Sequence, residues 1–130
     1  MRINFLLLAV SALFIFNSCA TDTAKEEVLE LKDVLPGDWH LVEAKRDNKV
    51  TTTLQGVYFS FDTLGLVKTN FVGAEINTDY KASNTGFSFT FQQNKMDYQA
   101  EILDPDTLNL KTKVRIFDFD LILARGKAEN

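Results

Sequence analysis

The side chains that could do acid, base or metal chemistry are few and scattered along this chain. Its one histidine, His40, follows its one tryptophan, Trp39, and its one cysteine, Cys19, lies well upstream. Histidine is the commonest acid–base group near neutral pH, but alternation along an extended segment sets His40 on the face opposite Trp39, toward solvent. A structural zinc site draws on a cluster of Cys and His ligands, and one of each is no cluster. Carboxylates recur two residues apart at Asp104/Asp106 and Asp118/Asp120. Such pairs are compatible with a calcium ion or with glycosidase-type acid–base work. Simpler accounts cover both. Asp104-Pro105-Asp106 has turn composition, with aspartate side chains bonding nearby backbone, and Asp118 and Asp120 fall on the polar face of an extended run. Gly-rich phosphate loops and Ser-centred elbows are absent from the sequence. No enzymatic activity, cofactor or metal is expected.

The elements around these residues read as strands. Eight runs stand out, at 39–46, 57–62, 66–71, 76–82, 87–92, 96–103, 107–112 and 116–125. Several alternate strictly: Val57, Phe59 and Phe61 oppose Tyr58, Ser60 and Asp62, and Phe87, Phe89 and Phe91 oppose Ser88, Thr90 and Gln92. Met96, Tyr98, Ala100 and Ile102 form a third apolar row, and Phe117, Phe119, Leu121 and Leu123 a fourth. A period of two with one apolar face indicates a half-buried antiparallel sheet. Turn formers separate the runs, including Asp47-Asn48, Ser83-Asn84-Thr85-Gly86 and Gln93-Asn94. The longest connection is expected at 47–56. No helical pattern lies between strands, so the fold class is all-β: an antiparallel meander, closed as an eight-stranded up-and-down barrel or stacked as a sandwich. Ahead of it, Thr23-Ala24-Lys25-Glu26 has capping-box spacing. Val28, Leu31 and Leu35 then follow at i, i+3 and i+7, which predicts a short helix stopped by Pro36-Gly37.

Arg2 and the apolar run 5–16 have the form of a secretory signal, too short for the roughly 20 residues of a membrane span. The following Phe16-Asn17-Ser18-Cys19 resembles a bacterial lipobox, which implies cleavage before Cys19 and a lipid on its sulfur. Ordinary cleavage after Ala20 is the other reading, since Ser18 and Ala20 are both small. A lone cysteine can form no intramolecular disulfide, and its place just after the apolar run suits acylation. The expected organisation is a signal peptide at 1–18, a lipidated tether and short helix at 19–34, a barrel at 35–126 and a tail at 127–130. The mature chain of 112 residues (130 less 18) carries net charge −5, from 13 Lys+Arg against 18 Asp+Glu. Moderate acidity argues against nucleic acid as a partner. The expected location is the bacterial cell envelope, anchored by lipid to the outer membrane, on a face the sequence leaves open.

Gly37-x-Trp39 at the start of the first run, the eight-run count, the short preceding helix and Arg125 at the end of the last run together resemble the lipocalin signature. The closer likeness is to small lipocalin-like domains of Bacteroidota lipoproteins. Leu35, Gly37, Trp39 and Leu41 match their opening Leu-x-Gly-x-Trp-x-Leu pattern, and 106–110 matches their Asp-x-Leu-x-Leu strand. The resemblance implies an eight-stranded antiparallel up-and-down barrel, with Trp39 closing one end and Arg125 across its ring in a cation–π pair worth about 0.5–2 kcal/mol. It also implies a small hydrophobic ligand. The candidate ligand-lining residues are Phe59, Phe61, Tyr80, Phe89, Tyr98 and Phe119, with Tyr80, Tyr98 and Thr78 as the polar groups that would orient it. Few inward positions, Ala82 and Ala100 among them, are small. Eight strands enclose enough room for one small ligand or for side chains alone. Two readings therefore stand: a carrier of a small apolar molecule, or a filled barrel that meets a protein partner at the envelope.

Overall fold

The computed structural model describes residues 28–127. The expected signal peptide at 1–18, Cys19, the Thr23–Glu26 spacing and residues 128–130 lie outside that range. One helical turn, α1 (Leu31–Val34), precedes nine strands: β1 (Gly37–Arg46), β2 (Lys49–Val50), β3 (Tyr58–Phe61), β4 (Leu66–Thr69), β5 (Ile76–Ala82), β6 (Gly86–Phe91), β7 (Asn94–Asp104), β8 (Thr107–Val114) and β9 (Phe117–Arg125). From β3 onward each strand pairs antiparallel with the next, β3 pairs with β1, and β1 pairs with β9 to close the sheet. The result is an all-β, eight-stranded closed barrel. The ninth strand, β2, pairs only with Lys45 and Arg46 and extends the β1 hairpin rather than adding a stave.

The 47–56 segment is thus not all loop, as expected from its composition. Asp47 (φ 50°) and Asn48 (φ 71°) both adopt left-handed dihedrals, the requirement of a type I′ hairpin, and they return the chain directly into β2. Gln92 (φ 51°) and Gln93 (φ 69°) do the same between β6 and β7. Arg115 (φ 60°) and Ile116 make the β8–β9 turn, so Ile116, assigned to a strand from sequence, is instead 78% exposed at a hairpin tip.

Two bulges correct the phase of the alternation. In β1, Leu41 faces Leu123 but Glu43 faces Ile122, leaving Val42 as the extra residue. Without it, the inward row begun by Trp39 and Leu41 would continue into Glu43 and Lys45. With it, Ala44 turns inward beside Leu121 and is buried, while Val42 is exposed. In β7 Leu103 is the extra residue, and it is likewise exposed.

The predicted helix is shorter than its spacing implied. Val28 is 86% exposed and takes no part, and Glu30 supplies no side-chain cap. Leu35 keeps helical dihedrals (φ −57°, ψ −42°) despite the following proline, so the chain breaks at Gly37 (φ 128°), a conformation glycine tolerates. Tertiary contacts hold this single turn. Leu31, Val34 and Leu35 are buried over one end of the barrel, and two side chains satisfy its orphan carbonyls: Trp39 Nε1 donates to Leu35 O at 2.8 Å and Arg125 Nη2 to Val34 O at 2.9 Å.

The core fills the barrel from this closed end upward. It contains Phe59, Phe61, Phe87, Phe89, Leu121 and Leu123 of the alternating rows, together with Leu108, Leu110, Val67, Thr69 and Thr112. The two threonine hydroxyls are paired, donating to Tyr58 O and Asp97 O, each at 2.7 Å. Ala82, expected inside, is exposed at the last position of β5. Gly86 allows the closest approach in the wall, since a Cβ there would lie 1.9 Å from Tyr98 O.

Arg125 joins more parts of this fold than any other charged residue described. Its guanidinium lies 4.3 Å from the centroid of the Trp39 ring, donates to Val34 O, Pro36 O and Pro105 O, and pairs with Asp106 Oδ1 at 3.0 Å. Charge-assisted hydrogen bonds contribute about 1.5–3 kcal/mol each, less where solvent screens them. Arg125→Ala is expected to cost about 2–4 kcal/mol. Arg125→Lys should recover less than half of this, because an ammonium lacks the planar fork. Urea unfolding followed by Trp39 fluorescence measures both; a loss within experimental error for Arg125→Ala would refute this account of the closed end.

Candidate functional site

The six residues proposed from sequence as a ligand lining all point into the barrel, but they line one another. Phe59, Phe61, Phe89 and Tyr98 are buried, and Tyr80 and Phe119 are half-buried. Tyr98 stacks on Phe89 with centroids 5.5 Å apart and meets Phe59 edge-on at 5.7 Å. Phe61 meets Tyr80 edge-on at 5.1 Å. Phe119 joins them through Phe71, at 5.5 Å from Phe119 and 6.0 Å from Tyr98. Phe87, stacked on Tyr98 at 4.6 Å, completes the network. Offset and edge-on rings at these spacings are mutually attractive, and they occupy the barrel axis.

Of the expected orienting groups, Thr78 and Tyr80 are half-buried. The Tyr80 hydroxyl reaches only a long 3.5 Å contact with Asp62 O, and its pKa is raised by burial and then by the nearby Asp62 charge. Tyr98 is 3% exposed, and its buried hydroxyl has no hydrogen-bond partner among the described residues. Burial pushes its pKa well above the ordinary tyrosine value.

An open concavity lies at the other end of the barrel from α1. There the β1–β3, β4–β5, β6–β7 and β8–β9 connections surround a mouth of about 650 Å³, within the roughly 300–1,000 Å³ range of small-molecule sites. Its apolar wall is Leu54, Phe71, Val72, Phe91, Met96 and Phe119, all half-buried. Lys95, Lys113 and Arg115 stand at its rim. The adjoining wall is split: β5 and β6 pair only at Tyr80–Phe89, Lys81–Ser88 and Ala82–Phe87, so Ile76–Asp79 are bonded to β4 alone. Sequence reading assigned Phe91 and Met96 to the interior but not to the site. Their position as inward residues next to a turn, Phe91 before it and Met96 after it, was the available signal. Leu54, inside a connection, had none.

The outer wall carries a larger groove of about 740 Å³ beside Asp97, Lys111, Lys113, Asp118 and Asp120. Charges of both signs interleave along it, as on a solvated sheet face. Two of its carboxylates have structural partners: Asp120 accepts from Asn109 Nδ2, and Asp47 Oδ1 accepts from Asp118 N at 2.9 Å, while Asp47 N donates to Asp118 O. Asp104 Oδ1 accepts from Asp106 N at 2.8 Å, closing the β7–β8 turn. His40 lies on the outer face, half-buried, with Nδ1 2.8 Å from Gly126 O, which assigns the proton to that nitrogen. Among the described residues no group of three or more His, Cys, Asp or Glu is arranged to hold a metal ion. Gly37, Trp39 and Arg125 meet at the closed end, away from the mouth.

Compared with family models, with curated proteins and with solved structures, the chain matches none.

Tyr98 separates a packing role from a polar one. An unpartnered buried hydroxyl costs about 1–3 kcal/mol, so Tyr98→Phe should leave stability unchanged or raise it by about 1 kcal/mol. Phe89→Ala should lower it by about 3–5 kcal/mol. The pH dependence has a definite sign. With the folded pKa raised above the unfolded value of 10.0, the contribution of Tyr98 is fully present below about pH 10 and is lost as pH rises beyond it. Urea titrations between about pH 8 and 11 should show a shallower alkaline loss in Tyr98→Phe than in the wild type. Parallel curves would contradict the burial of this hydroxyl.

Proposed function

We propose that this chain is a non-enzymatic binding module of the bacterial envelope, anchored through a lipid on Cys19, with a lipocalin-like barrel that takes a small apolar group at its mouth. The observation that supports the reading is the half-buried apolar wall of Leu54, Phe71, Phe91, Met96 and Phe119 above an axis already filled with rings. Apolar side chains left partly open at one end of a packed barrel gain by being covered, at about 25 cal/mol per Å² removed from water. The ring-filled axis favours a second reading, in which the covering group is a partner protein's side chain rather than a free molecule.

The site is tested with a neutral naphthylamine dye whose emission rises in apolar surroundings. The wild-type domain should bind it saturably, and Phe91→Glu, which sets a charge in the mouth while leaving the axis intact, should weaken binding by at least about ten-fold, the effect of roughly 1.4 kcal/mol. Equal binding by both would place the dye elsewhere and remove support for the mouth. The anchor is tested by intact mass of the membrane-fraction protein. A chain beginning at Cys19 and carrying acyl mass is expected, and an unmodified Cys19 would end the lipoprotein reading.

A further inference from the structure

We infer that the mouth selects a single-chain amphiphilic anion of the alkanoate type, with its chain on Phe71, Phe91 and Met96 and its carboxylate at Lys113 and Arg115; this rests on the binding reading above. The full chain is acidic, with 18 Asp+Glu against 14 Lys+Arg. Yet the charged residues lining the mouth are Lys95, Lys113 and Arg115, and none is acidic. Lys95 has a neighbour, Asp97 at 3.6 Å, in a largely exposed pair that solvent weakens. Among the described residues Lys113 and Arg115 form no ion pair within 4.0 Å, although Asp118 lies opposite Lys113 in the β8–β9 register.

Position adds to charge. Arg115 sits at a hairpin tip in a left-handed conformation, pinned by the Val114–Phe117 pair beneath it. Its guanidinium is therefore delivered at the mouth by a short, well-bonded turn. A guanidinium and an ammonium beside an apolar wall suit a carboxylate on a hydrocarbon chain: the head accepts charge-assisted hydrogen bonds while the chain covers apolar surface. The ring network closes the floor at Phe71 and Phe119, so the chain enters end-on and the head remains at the rim.

The experiment compares three ligands of equal chain length with the full mature domain by calorimetry, below their micelle concentrations: dodecanoate, dodecanol and dodecylammonium. Dodecanoate should bind at least about ten-fold more tightly than dodecanol, in line with one charge-assisted contact, and dodecylammonium should bind most weakly. In the double variant Lys113→Gln/Arg115→Gln, both positions being exposed, the domain should melt as the wild type does and bind dodecanol unchanged. Its preference for the carboxylate should fall to within about two-fold, and raised salt should narrow the wild-type preference in the same direction. Equal affinity for dodecanoate and dodecanol, or a preference for the ammonium, overturns the anion inference and leaves an apolar mouth. A preference surviving in the double variant overturns the assignment to Lys113 and Arg115. Binding of none of the three overturns the inference and the mouth reading together.

Discussion

The contact between the Arg125 guanidinium and the Trp39 ring is the constraint on which the barrel depends. Trp39 is in the first strand and Arg125 is the last residue of the final one, and the two face each other across the β1–β9 seam. A closed sheet has no free edge to pair wrongly, but it needs its first and last strands fixed in one register. The arginine supplies that register chemically. Its planar fork bonds carbonyls of the helix end, of Pro36 and of the β7–β8 turn, so a slip of β9 along β1 would break contacts in three segments at once. Trp39 contributes from below, fully buried, with its indole N–H on Leu35 O.

Closure also explains why the interior is packed with rings. The inward rows are set by alternation, and those of β1, β3, β5, β6, β7 and β9 all carry aromatic residues. Phe87 and Tyr98 stack at 4.6 Å as neighbours on β6 and β7, and Phe59 on β3 meets both edge-on across the barrel, at 6.2 and 5.7 Å. Rigid side chains of this size leave little freedom for rearrangement once in place. Open space is thereby displaced from the axis to the end where the β5–β6 pairing lapses.

Much of the fold was legible from local pattern. The apolar rows of 57–61, 87–91 and 96–102 are uninterrupted by charge, and the turn residues between them match the left-handed positions observed at Asp47, Asn48 and Gln93. Where the reading departed from the structure, a non-local cause took over. Val42 and Leu103 look like strand residues of ordinary phase, and only cross-strand register shows that each is a bulge. Val28 fits a helical face by spacing, but a single turn stabilised by Trp39 and Arg125 has no use for it. The inward set was recoverable while the site was not, because whether an inward ring is covered or open depends on how far the neighbouring staves extend beyond it. Phe89 and Phe91 are indistinguishable in sequence, yet the first is buried and the second stands half-open at the mouth.

Both described ends of the chain leave from the same pole of the barrel. The polypeptide arrives through α1, and Gly126 returns to β1, where its N–H bonds Asp38 O at 2.6 Å. Topologically the domain is a loop whose two ends meet beneath Trp39. A short linker joining them, with new ends cut at the exposed Ser83–Thr85 turn of that same pole, would give a circular permutant retaining every mouth hairpin. Sequence appended at either end attaches at the antipode of the mouth, so a membrane anchor or a neighbouring domain on that side would hold the opening outward, as a stalk holds a cup.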